Sequence, residues 1–221
     1  QLGADIWHLN VENNDTKKID IRIVSDLDQL RQKWDENPSR FITSVHPDPK
    51  GEKIVITARG RVFVAPVKAG RMVSFSQDSD IRYRDAAFSF DGKNVITLSD
   101  ESGEFEFVSI PANGEDSKRQ ITNNGEVLRY GGLSSPDGKF IAFSDLENNL
   151  FVMNAATGEM EKISTNDEGI GDFSWSPDSK WIAFVQTALN AMQQIKVYNL
   201  EVKTAFDLTT DRANSVNPRW S

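Results

Sequence analysis

The chain of 221 residues contains no cysteine. That absence excludes a disulfide framework, thiolate metal ligation and a cysteine nucleophile. Histidine is almost as scarce, with only His8 in "DIWHLN" and His46 in "VHPDP". A serine triad needs an imidazole base beside its nucleophile and zinc sites lean on imidazole ligands, so both chemistries are poorly provided for. No G-x-S-x-G elbow, P-loop, G-x-G-x-x-G or H-E-x-x-H occurs. No apolar run approaches the roughly 18 residues of a membrane helix, and "QLGADIWHLN" lacks a basic segment leading into an apolar one. Positive charge is in deficit: 25 Lys and Arg stand against 33 Asp and Glu, giving a formal net charge of −8. The cations are scattered, whereas nucleic-acid affinity comes from clustered ones, so no nucleic-acid partner is expected and no membrane partner either. The acidic loops "SQDSD" (Ser76 to Asp80) and "TNDEG" (Thr165 to Gly169) lack EF-hand spacing and read as solvated surface. No cofactor or metal is expected.

What the chain has is a repeat. "HPDPKGEKIVIT" (His46 to Thr57), "SFDGKNVITL" (Ser89 to Leu98), "SPDGKFIAFS" (Ser135 to Ser144) and "SPDSKWIAFV" (Ser176 to Val185) align, with Asp48, Asp91, Asp137 and Asp178 spaced by 43, 46 and 41 residues. A period of this size marks four-stranded propeller blades. In Ser-Pro-Asp-Gly, proline presets φ at the second position of a type I turn, glycine suits the fourth, and the serine oxygen can accept a nearby N–H. The runs that follow, "IVIT", "VITL", "IAFS" and "IAFV", are continuously apolar and predict second strands buried on both faces between neighbouring blades. "RVFVAPV", "EFEFVSI", "NLFVMNA" and "QIKVYNL" alternate and predict third strands; polar runs such as "EMEKIS" predict outer ones. Phe90 replaces the turn proline in one unit, Ser179 the glycine in another, and "HPDPKGEK" reads as carrying extra residues.

The expected fold is all-β: a β-propeller of four-stranded antiparallel blades, four of them complete, with partial blades at both ends, as in a fragment of a larger propeller. The units fall near 1–40 (partial), 41–84, 85–130, 131–171, 172–216 and 217–221. "ADIWHLNVENNDTKKIDIRI" reads as the third and fourth strands of a blade, and Trp220 with Ser221 aligns with Trp175 and Ser176. A self-closed five-blade ring is the alternative. Leu27, Leu30 and Trp34, behind Ser25 as N-cap, predict a helical insertion over 25–36 that seats Trp34 against the propeller rim.

Loops entering the innermost strands crowd the mouth of a propeller's channel. Here they contain Arg82, Tyr83 and Arg84 in "IRYRDAAFS", Arg129 and Tyr130 in "VLRYGGLSS", and Asp172 in "EGIGDFSWS". An arginine beside a tyrosine can grip a carboxylate and stack on a peptide, which makes these six residues candidate channel-mouth peptide contacts. The competing reading packs Tyr83 and Tyr130 between blades and pairs the arginines with Asp85 or Asp172.

The Pro-Asp-Gly blades resemble the repeats shared by TolB, prolyl oligopeptidase-type enzymes and tricorn protease. "ADIWHLNV", "KKIDIRIVSDLDQLRQKW", "PSRFITSVHPDPKGEKIVITARGRVFVAPVKAG" and "RYRDAAFSFDGKNVITLSDESGEFEFVSIPANG" are more specific, and resemble bacterial homologues of tricorn protease over essentially the whole chain. The resemblance implies N-terminal propeller repeats followed elsewhere by a PDZ-like module and a tail-specific-protease-type domain that carries the serine and histidine. By that resemblance this segment is noncatalytic and guides or gates peptides. Its partners are peptides and the catalytic and PDZ-like domains of the parent, with room for a homo-oligomer of that parent. The expected compartment is the cytoplasm, or the periplasm if an upstream signal peptide precedes the segment. A TolB-like protein-interaction module is the alternative function.

Overall fold

A computed structural model describes residues 6–22, 34–75, 80–115 and 117–221. They belong to two compact units, Gln1–Pro38 and Ser39–Ser221. In the first, β1 (Trp7–Leu9) and β2 (Thr16–Lys18) form an antiparallel hairpin with Trp7 opposite Lys18. Its turn is closed by side chains: Glu12 N–H donates to Asn10 Oδ1 and Asp15 N–H to Asn13 Oδ1. The helix expected over 25–36 lies outside the described residues as far as position 33, as does most of "SQDSD"; Trp34 itself is 93% exposed.

The second unit is a β-propeller region of four antiparallel sheets, each a meander in chain order. The first sheet holds β3 (Ile42–Pro47), β4 (Lys53–Ala58), β5 (Arg61–Pro66) and β6 (Val73–Phe75). The second holds β7 (Tyr83–Phe88), β8 (Asn94–Ser99), β9 (Glu106–Pro111) and β10 (Arg119–Gln120). The third holds β11 (Arg129–Ser134), β12 (Phe140–Asp145), β13 (Asn149–Asn154) and β14 (Met160–Thr165). The fourth holds β15 (Ile170–Trp175), β16 (Trp181–Thr187), β17 (Gln193–Asn199) and β18 (Thr204–Asp207). Strand β7 packs on both β3 and β11, so the first strands of the first three sheets adjoin one another. Strands β7, β11 and β15 begin at Tyr83, Arg129 and Ile170, slightly before the unit boundaries expected from sequence.

The apolar second strands are buried from both sides. On β8, Val95 joins a cluster with Val55, Val62 and Val64 of the preceding blade, while Ile96 and Leu98 join Ile141, Phe143 and Met153 of the following one. On β12 the same split sends Ala142 to a cluster with Ile182, Phe184 and Tyr198. Successive side chains on a strand point to opposite faces, so an apolar run is what a strand between two sheets requires. Phe107 and Phe143 meet edge to face at 5.1 Å across one such boundary.

The blade turns share one hydrogen-bond scheme. Ser89, Ser135 and Ser176 donate from Oγ to Asp91, Asp137 and Asp178 Oδ1 at 2.7, 2.6 and 2.5 Å. Each serine Oγ then accepts the N–H five residues on, from Asn94, Phe140 or Trp181. The first turn corrects the sequence alignment. Asp48 N–H donates to Lys53 O, as Ser135 N–H does to Phe140 O, and Asp48 Oδ1 accepts Lys53 N–H at 2.9 Å. Asp48 therefore stands at the serine position and not at the aspartate position, and the turn has no extra residues. The equivalent residues Asp48, Ser89, Ser135 and Ser176 are 41, 46 and 41 apart.

The two irregular turns serve contacts between blades. Ser179 adopts φ 61° in the glycine position, and its Oγ accepts Asp137 N–H from the preceding blade at 2.9 Å. Phe90, where proline was expected, lies against Gly138 of the following turn, and its ring fills the space that a Cβ on Gly138 would need.

Burial pushes the Asp91 and Asp137 carboxyls up, but the serine hydroxyl, the lysine N–H and the lysine charge outweigh it. For Asp178 the Ser176 hydroxyl acts first and the Lys180 N–H second. All three carboxyls are held below the ordinary carboxylate value. A pKa depressed by folding contributes stability above the unfolded value, about 3.9, and loses it as pH falls through the lower folded value. Thermal melts are thus expected to drop progressively below about pH 4. Asp137→Asn should shallow that drop while lowering the midpoint at pH 7; an unchanged acid slope would contradict this assignment.

Candidate functional site

Each innermost strand contains one extra residue relative to its partner. The register shifts between Ile42 and Ser44, Arg84 and Ala87, Gly131 and Leu133, and Ile170 and Phe173. A bulge bends the strand and re-aims the side chains beside it. Counting back from the residue that opens each turn fixes the equivalences. Six residues before it stand Ile42, Tyr83, Arg129 and Ile170, opposite Ala58, Ser99, Asp145 and Gln186. Five before it stand Thr43, Arg84, Tyr130 and Gly171; four before it stand Ser44, Asp85, Gly131 and Asp172.

This register separates the two Arg-Tyr pairs of the sequence. Tyr83 and Arg129 are equivalents of one another, and both are buried, at 4% and 6% exposure. Arg129 donates from Nη1 to Glu106 Oε2 at 2.9 Å and to Thr122 Oγ1 at 3.1 Å, and from Nη2 to Asn124 O and Oδ1. The Thr122 hydroxyl and Gly125 N–H also donate to Glu106. The guanidinium is thereby consumed within the fold, which corrects its expected place at the channel mouth; its partner is Glu106, not Asp85 or Asp172. Arg82 is exposed, and its N–H donates to Asp100 Oδ1 at 2.7 Å.

Arg84, Tyr130 and Asp172 are brought together. They line a cavity of about 330 Å³ with His46, Asp85 and Phe173. An adjoining cavity of about 460 Å³ shares Tyr130, Gly131, Asp172 and Phe173 with it. The Arg84 guanidinium carbon lies 5.3 Å from the Tyr130 ring centroid and 5.4 Å from that of Phe105. Asp85 adopts φ 51° within its bulge, and its Oδ2 accepts Gly131 N–H from the next blade at 3.2 Å. Burial pushes the His46 imidazole below its ordinary pKa, partly opposed by the Asp85 carboxylate. The residues lining the cavity beside His46 include no serine, threonine or cysteine. The innermost strands bring to it one guanidinium, two carboxylates and an imidazole.

Sequence reading missed His46, Asp85 and Phe173 as wall residues, and Phe105 as a ring beside Arg84. A signal for Asp85 exists, since aspartate recurs four residues before the turn serine as Asp172. Nothing comparable marks Phe105.

The model of the family described as "Tricorn protease second beta propeller domain" matches residues 42–221. Tricorn protease of Thermoplasma volcanium is 28% identical over 99% of this chain and 21% of that protein. Tricorn protease homolog 1 of Streptomyces coelicolor is 22% identical over the same shares. The chain thus spans about a fifth of the length of these relatives. Among solved structures, tricorn protease superposes with a TM-score of 0.67 at 21% identity, covering 95% of this chain and 20% of that one. A putative TolB from Agrobacterium tumefaciens gives 0.62 at 18% identity, over 76% and 62%. At these identities the structural likeness concerns the fold.

Proposed function

From the premise that this chain belongs to the tricorn protease second β-propeller domain family, we propose that it is the noncatalytic propeller part of a tricorn-like serine peptidase. In this role it guides extended peptides along its axis towards a catalytic domain elsewhere in the parent protein. The carrying observation is the wall built by the bulged inner strands, where Arg84, Asp85, Tyr130 and Asp172 border one cavity and Tyr130 and Asp172 also border a second. An extended peptide offers carbonyls, amides and side chains of both charges, and a wall with one guanidinium, two carboxylates and aromatic faces can contact all of them without selecting a single sequence. The relatives' names support a peptidase parent. The family's description, a propeller domain of a protease, supports placing the chemistry in another part of that parent.

The test is turnover against substrate length. In the parent protein, Tyr130→Ala is expected to change kcat/KM several-fold for long peptides and to leave dipeptide-sized substrates nearly unaffected. The isolated segment should hydrolyse neither. Equal effects at both lengths, or turnover by the segment alone, would contradict the proposal.

A further inference from the structure

Adjacent blades each carry an arginine at the start of the innermost strand, and the two are used differently. Arg129 is buried and its donors are engaged by Glu106, Thr122 and Asn124. The Arg84 side chain makes no hydrogen bond or ion pair to an acceptor among the described residues; its contacts are the rings of Phe105 and Tyr130, 5.4 and 5.3 Å from the guanidinium carbon. Its neighbour Asp85, the obvious partner, has turned Oδ2 to the N–H of Gly131 instead. Aromatic contacts use the faces of a guanidinium and leave the N–H groups in its plane open. Arg84 is one of the residues that line the cavity of about 330 Å³. Two rings also restrict the side chain, so less freedom is lost when an acceptor engages it.

We infer that Arg84 is a receptor for one carboxylate of an extended peptide, either the chain end or an acidic side chain. The inference rests on the axial-path reading above. Asp85 and Asp172 border the same cavity and repel further negative charge. The fitting ligand therefore carries a single carboxylate with neutral or basic neighbours, and a polyanion is disfavoured.

Calorimetric titration of the intact protein tests this with three probes: an alanine tetrapeptide with a free C-terminus, its C-terminal amide, and an amidated peptide carrying one glutamate. A carboxylate in at least one of the two places should tighten binding about tenfold over the uncharged amide, as for a charge-assisted pair. The free acid and the glutamate peptide then tell chain end from side chain. Arg84→Ala should remove the difference, and Arg84→Lys should restore only part of it, because an ammonium lacks the planar fork. Thermal melts of both variants establish that they fold; should Arg84→Ala not fold, the reduced discrimination of Arg84→Lys carries the test. Discrimination that persists in a folded Arg84 variant overturns the inference. If the amide binds as tightly as the acid and Tyr130→Ala weakens both, the carboxylate receptor falls and the axial path stands. If no peptide binds, both fall.

Discussion

Replacing Arg129 with methionine is expected to lower the unfolding free energy by about 3–5 kcal/mol, the usual cost of removing one partner from a buried ion pair. The loss is large because of what remains. Glu106 is 4% exposed, and without Arg129 its carboxylate keeps only the Thr122 hydroxyl and Gly125 N–H in a site closed to water. The Asn124 carbonyl and side-chain oxygen lose their donors as well. The network ties β9 and the loop after β10 to the first residue of β11, so its loss loosens one blade from the next. Glu106→Gln combined with Arg129→Met removes the stranded charge and should recover much of the loss, since a neutral replacement of a buried pair is often tolerated. Chemical denaturation of the two single variants and the double variant measures this. A change below about 1 kcal/mol for Arg129→Met would mean a solvated pair of the surface kind.

The second large effect is expected at Gly132. It sits in the β11 bulge at φ 125°, where a side chain is strained, and a Cβ there would lie 2.8 Å from Cε1 of Phe107. Phe107 is fully buried and packs against Phe143, so it cannot swing aside. Strain of about 1–3 kcal/mol and overpacking of about 1–3 kcal/mol together give Gly132→Ala a loss of about 2–6 kcal/mol. Gly51→Ala is the control, because Gly51 also has positive φ, 68°, but nothing lies within 4 Å of its Cβ position. Its cost should be the conformational part alone, about 1–2 kcal/mol. Equal losses at the two positions would show that packing against Phe107 contributes nothing.

The propeller was legible because two signals agree. Turn residues recur at a steady period, and the apolar runs behind them are too continuous for strands with a wet face, as Val95 and Ile96 show by joining opposite clusters. The first turn misled the alignment for a chemical reason: an aspartate oxygen accepts the same N–H groups as a serine hydroxyl, so Asp48 took the serine's place in a turn that also looked like Pro-Asp-Pro. The Arg-Tyr pairs misled because adjacency in sequence is not equivalence in a bulged strand. Counting from the turn sets Arg84 beside Tyr130 at the cavity, and Arg129 with Tyr83 in the interior. Glu106 was illegible as an interior residue, since "EFEFVSI" reads as an alternating strand with its glutamates in water. Its burial is compensated by the Thr122 hydroxyl, the Gly125 N–H and the cation of Arg129, 23 residues on and in the next blade.

On the axial-path proposal, peptides travel along the inner wall, past Tyr130. The most direct measurement places a photo-crosslinking phenylalanine derivative at position 130 of the parent protein and, as a control, at Val202, 63% exposed in the turn between β17 and β18. Irradiation during turnover of a labelled long peptide should attach the label at position 130 and not at 202. Equal labelling of the two positions, or labelling at 202 alone, would contradict it.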